Sequence, residues 1–252
     1  MKTNTLYALD FDGVICDSAL ETAMTGWKAA CQIWSDMPKQ VPVELPDLFR
    51  EVRPNIETGY EAILAMRLLH LGYDTQAIFN QYQTLTTDLL TQSGVSVDDL
   101  KQLFGATRDH WIAHDLESWI ANNPLFDQMA KRLQILGQHH EWLIITTKQE
   151  RFVSQILAAN GITLDTAKIF GLDRNLSKVE VLRGLIQSHP QHKIIFVEDR
   201  LPTLINVARQ SDLKGLELQF ARWGYNTPVD KQEAVQHGFA SIELDEFLLF
   251  PV

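Results

Sequence analysis

Thr5-Leu6-Tyr7-Ala8-Leu9-Asp10-Phe11-Asp12-Gly13-Val14 is the stretch that decides the fold. Four apolar residues, Leu6 to Leu9, end abruptly in two acids and a glycine, the pattern of a buried strand that runs out into a tight turn. Ser18 and Glu21 follow with the spacing of a capping box, so a helix is predicted from there to about Trp34. Pro38, Pro42 and Pro46 then punctuate a loop. Beyond them, helical spacing persists to about Ala121, with Ile63, Met66, Arg67, Leu68 and Leu71 on one face and caps at Asp74 and at Ser96 with Asp99.

The pattern changes after Asn122-Asn123-Pro124. Short β-rich runs, Trp142 to Thr146, Lys193 to Val197 and Leu216 to Phe220, alternate with amphipathic segments near 150–160, 177–188 and 202–212. That alternation predicts βα units and a parallel sheet, to which the first strand also belongs. Asp10, Thr146 and Asp199 then converge at the carboxyl edge of the sheet, where open α/β sheets bind ligands. The middle third of the chain, to about Ala121, reads as a helical insert.

Composition narrows the function classes. The chain has 252 residues, with 22 Lys and Arg against 32 Asp and Glu, a formal net charge of −10. So acidic a chain does not suit sequence-independent nucleic-acid binding, which draws its affinity from clustered Lys and Arg. Roughly 70 to 75 % of the extended-chain surface is expected to be buried, enough for a core without staples. No apolar run approaches the roughly 18 residues of a membrane helix, so no membrane role is expected. Asp10, Asp12 and Asp17 interrupt any secretory leader core, so Asn175-Leu176-Ser177 is set aside as a glycosylation site. Cys16 and Cys31 make no disulfide framework, and a cytoplasmic location is the default.

The chemistry-bearing groups occur in a fixed order. Asp10 and Asp12 are spaced so that one carboxylate can attack phosphorus while the other handles a proton, although Asp-Phe-Asp-Gly is also an ordinary turn sequence. Thr146 and Thr147 end an apolar strand with hydroxyls suited to phosphate oxygens, and equally to a structural role. Lys178 opens a helix, where the dipole disfavours a cation; a solvated surface lysine is the plainer reading. Glu198-Asp199 ends a strand with acids that suit a hard cation such as Mg²⁺, or the cap of the next helix.

Taken together in this order, these residues resemble the haloacid dehalogenase (HAD) superfamily, phosphatase type with a helical cap, and similar to phosphoglycolate phosphatases. The resemblance implies an α/β fold: a Rossmann-like parallel sheet core with helices on both faces, formed by 1–16 and 122–252, plus an inserted all-helical cap domain, 17–121. It implies Asp10 as a nucleophile that forms an aspartyl-phosphate, and Asp12 as the general acid and base. Thr146 and Lys178 would hold the phosphoryl group, with Lys178 also restraining Asp10. Mg²⁺ would be held by Asp10, the backbone carbonyl of Asp12, and Asp199, with Glu198 behind them.

Thr203 stands where many relatives carry a second acid, and Glu198 resembles the compensating residue of relatives with a Glu-Asp pair. Because true dehalogenases need neither Asp12 nor a metal, the resemblance favours a Mg²⁺-dependent phosphatase. A phosphomutase and a catalytically weak binding or regulatory protein are the alternatives. Thr147 and Arg53 are the expected substrate contacts, although Arg53 also reads as a solvated arginine. The expected partner is a small phosphorylated metabolite, and the expected state a monomer or homodimer. His110 and His114, Cys16 and the tryptophans Trp27, Trp34, Trp111 and Trp119 are assigned no chemistry.

Overall fold

The computed structural model describes residues 4–249. These divide into two compact units: Ser18–Asn123 forms one, and the described residues on either side of it form the other.

The discontinuous unit is built on six parallel strands: β1 (Thr5–Leu9), β2 (Glu141–Ile145), β3 (Ile169–Phe170), β4 (Lys193–Glu198), β5 (Glu217–Ala221) and β6 (Ala240–Ile242). Their order is β3-β2-β1-β4-β5-β6, the Rossmann arrangement, with β1 hydrogen-bonded between β2 and β4. Strands in such a sheet are covered on both faces, which is why β1, β2 and β4 read as unbroken apolar runs rather than alternating ones. On one face Leu6, Ala8, Leu143, Ile145, Ile194 and Phe196 pack with Val181, Leu182 and Leu185 of the helix Lys178–Ser188 and with Leu204 and Val207 of Leu201–Ala208. On the other face Leu9, Ile144 and Val197 are equally buried, and the helix Met129–His139 packs against β2. The helix over the first face starts at a reciprocal Ser177/Glu180 capping box, which fixes where Lys178 emerges.

The second unit is all helical: Ala19–Ile33, Leu45–Val52, Glu61–His70, Thr75–Ser93, Val97–His114 and Leu116–Ala121. Asp74 and the Ser96/Asp99 box cap their helices. Two local expectations are corrected. Every residue of Ala62–Leu69 is buried, while Leu71 is exposed, because Glu61–His70 packs against four other helices and has no solvent face.

Ser18 and Glu21 form no capping box either. The Glu21 carboxylate is wholly buried and turns instead to Arg108, which donates from Nε (2.8 Å) and Nη2 (2.7 Å). Trp119 Nε1 (3.1 Å) and Thr25 Oγ1 (2.7 Å) also donate to it. Four directed donors offset the lost hydration of the buried Glu21 carboxylate, which a single cap contact would leave largely uncompensated. Among the described residues, no helix is long and apolar enough to cross a membrane.

Arg108→Ala strands the Glu21 carboxylate, and is expected to cost about 3–5 kcal/mol in urea unfolding of the helical unit. Lys101→Ala, which removes an exposed pair with Asp98, is the control and leaves the midpoint in place. Equal midpoints for the two variants would show that the buried pair carries no such weight.

Candidate active site

Three strand ends and one helix start build the site. The Asp10 backbone N–H donates to the Val197 carbonyl (3.0 Å), so sheet pairing persists one residue past β1 and sets where the Asp10 side chain leaves the sheet. The chain then turns at once: Ile15 and Cys16 N–H groups both donate to the Phe11 carbonyl, each at 2.9 Å. Gly13 sits at φ +89°, and a Cβ there would collide with Asp199 Oδ2, so glycine is required both by conformation and by close approach. β4 ends in Glu198 with Asp199 next, and the strand order reverses between β1 and its two neighbours. The acids thus stand at the topological switch point.

Lys178 accounts for its own unfavourable place at a helix N-terminus. Its Nζ lies 3.0 Å from Asp10 Oδ1 and 2.6 Å from Glu198 Oε2. Burial works against its charge, yet the two carboxylates hold its pKa above the ordinary lysine value. Burial also works against charge on Glu198, but Lys178 and the Arg200 N–H (3.0 Å to Oε1) keep that carboxyl below its usual range. Asp10 has the poorer balance. Burial and the Glu198 charge outweigh Lys178 and push it up to about 7.

Asp199 accepts from the Tyr225 N–H at 2.6 Å, and the Tyr225 hydroxyl donates to Asp17 at 2.9 Å. Asp10, Glu198 and Asp199 each offer a carboxylate oxygen within 4.8 Å of the others. Four acids, Asp10, Asp12, Glu198 and Asp199, face two lysines, Lys178 and Lys148, an excess of acids over lysines at the sheet edge. An all-oxygen donor set with that excess, held against a glycine that leaves room for Asp199, fits a hard divalent cation.

Thr146 follows β2, is buried, and donates its backbone N–H to the Phe170 carbonyl (2.9 Å). Thr147 beside it is exposed, and Thr203 lies half-buried in the helix Leu201–Ala208. Arg53 belongs to the helical unit, where it is almost buried and donates to the Ile56 carbonyl at 2.8 Å. His110 and His114 lie on one helix with ring centroids 4.0 Å apart and planes tilted by 33°. Cys16 and Cys31 are not joined in a disulfide. One group escaped the sequence reading: Lys148, whose Nζ lies 2.9 Å from Asp12 Oδ1. Its signal was a lysine two residues past a strand-terminal threonine, inside a stretch already singled out for Thr146 and Thr147.

This architecture recurs in solved structures. A predicted phosphoglycolate phosphatase from Haemophilus somnus superposes with a TM-score of 0.62 at 15 % identity, covering 98 % of each chain. The fold is that of the haloacid dehalogenase-like hydrolases. A putative phosphoglycolate phosphatase from Lactobacillus delbrueckii gives a TM-score of 0.61 at 12 % identity over 100 % of both chains. A HAD family hydrolase from Deinococcus radiodurans, with bound phosphate and sodium, gives 0.54 at 14 % identity, covering 99 % of this chain and 98 % of its own. No family model and no curated protein matches the sequence. The HAD-like fold is therefore shared at a level of identity where similarity of sequence has largely gone.

Gly13→Ala places a methyl group against Asp199 in a left-handed backbone. It is expected to lower stability by more than the ~1 kcal/mol of a simple conformational penalty. A thermal midpoint equal to that of the parent would contradict the close approach.

Proposed function

We propose that the chain is a Mg²⁺-dependent phosphatase that hydrolyses a small phosphomonoester through an aspartyl-phosphate on Asp10. The observation that carries this reading is the Lys178 ammonium bridging Asp10 and Glu198, with Asp199 within reach of both, at the switch point of the sheet. A phosphatase nucleophile must be anionic and yet meet an anionic substrate. A fixed lysine and a cation-ready carboxylate set beside one buried aspartate supply what that encounter demands. The phosphatase descriptions of the structural neighbours from Haemophilus somnus and Lactobacillus delbrueckii point the same way.

In this reading Asp10 attacks the phosphorus and Lys178 keeps its carboxylate aimed. Thr146, whose Oγ1 accepts from the Lys148 N–H (3.1 Å), turns its own hydroxyl proton toward a phosphoryl oxygen. Asp12 gives a proton to the departing oxygen and later takes one from the water that cleaves the acyl phosphate. Asp10, Asp199 and the Asp12 carbonyl would hold Mg²⁺, with Glu198 supporting from behind; when bound, the cation offsets charge on the transferring group. Substrates are small phosphorylated metabolites of the cytoplasm.

Hydrolysis of p-nitrophenyl phosphate tests the reading. Release is expected with Mg²⁺, to be lost with EDTA, and to fall by roughly 1,000-fold or more in Asp10→Asn. Undiminished release in Asp10→Asn would sink the nucleophile assignment. Phosphate exchange within a sugar phosphate without release would favour a mutase, and silence toward a panel of phosphomonoesters a binding protein.

A further inference from the structure

Lys148 is held unlike a side chain that reaches for ligands. Its backbone N–H donates to Thr146 Oγ1 (3.1 Å) and its carbonyl accepts from the Leu172 N–H (3.1 Å), so the main chain is pinned on both sides. Gly171 permits the second contact, since a Cβ there would press on the Lys148 carbonyl oxygen. The side chain is 2 % exposed, and its ammonium lies 2.9 Å from Asp12 Oδ1, across 136 residues of sequence. The pair is distinct from the contacts of Lys178: Lys148 meets Asp12, whereas Lys178 meets Asp10 and Glu198. A buried cation on a pinned backbone is a preorganised charge.

We propose that Lys148 is a positioning residue for Asp12, fixing the plane of its carboxyl group and stabilising the carboxylate that appears when Asp12 gives up its proton. This rests on the phosphatase reading above. In the transfer step a bond forms between an Asp10 carboxylate oxygen and phosphorus as the ester P–O bond breaks, and the Asp12 proton passes to the departing oxygen. Lys148 stands at Oδ1, so the charge left behind develops beside a cation already in place. The benefit is greater in the transition state than in the ground state, and it therefore raises the rate of transfer.

The consequence is a dependence on the leaving group. A p-nitrophenolate departs without help, whereas an alkoxide needs the proton. The quantity to compare is kcat/KM, which covers the steps up to loss of the alcohol. It is measured for p-nitrophenyl phosphate and for glycerol 2-phosphate in the parent, Lys148→Met, Lys148→Arg, Asp12→Asn and the Asp12→Asn/Lys148→Met double variant. In Lys148→Met the alkyl-to-aryl ratio of kcat/KM is expected to fall by roughly 100-fold. Asp12→Asn should give the same selective fall, the double variant no further fall, and Lys148→Arg a partial return of the ratio.

Equal losses on both substrates, or losses that add in the double variant, would overturn the proposal, for they are what a substrate-gripping or merely structural lysine gives. A parent that releases phosphate from neither substrate defeats the phosphatase reading and the proposal with it, and is told apart from the first result by the parent alone.

Discussion

The ammonium of Lys178, shared between Asp10 and Glu198, is the interaction on which the rest of the site depends. Two carboxylates brought this close in a buried place repel each other and lose their hydration, and burial alone disfavours the charged form of both. Lys178 makes their approach tolerable, and its two short contacts convert a liability into a fixed geometry. Its compensation is incomplete, since Asp10 is still pushed up to about 7. That residual imbalance is the physical reason the cluster suits a further positive charge.

The fold serves this arrangement in specific ways. Placing β1 between β2 and β4 brings three carboxyl ends side by side, and the Ser177/Glu180 box starts a helix so that Lys178 is its first residue. Gly13 lets the turn after β1 lie against Asp199, and the Tyr225 N–H donates to that acid's Oδ2. None of these groups is chemically unusual. Their effect comes from backbone that is hydrogen-bonded in place, and charges fixed in this way act more strongly than mobile ones.

Much of this was legible in the sequence. β1, β2, β4 and β5 are runs with enough apolar residues to stand out, and the order of Asp10, Thr146, Lys178 and Asp199 follows from the alternation of strands and helices. β3 and β6 were not seen because two and three residues leave no periodicity to read; their strand character comes from pairing with β2 and β5. Ser18 and Glu21 misled because local spacing cannot reveal an arginine 87 residues away. Lys148 was missed for the same reason. Its partner, Asp12, is 136 residues distant, and an isolated lysine after a strand gives no hint of burial.

In the phosphatase reading proposed above, Asp10 becomes covalently phosphorylated. The most direct measurement is to quench the protein with acid during turnover of p-nitrophenyl phosphate with Mg²⁺, reduce the acyl phosphate with borohydride, and locate the product by peptide mass spectrometry. Homoserine in place of aspartate at position 10, absent without substrate, is the predicted result. Continued hydrolysis with unmodified Asp10 throughout, or with the reduced alcohol at another acid, would contradict that assignment.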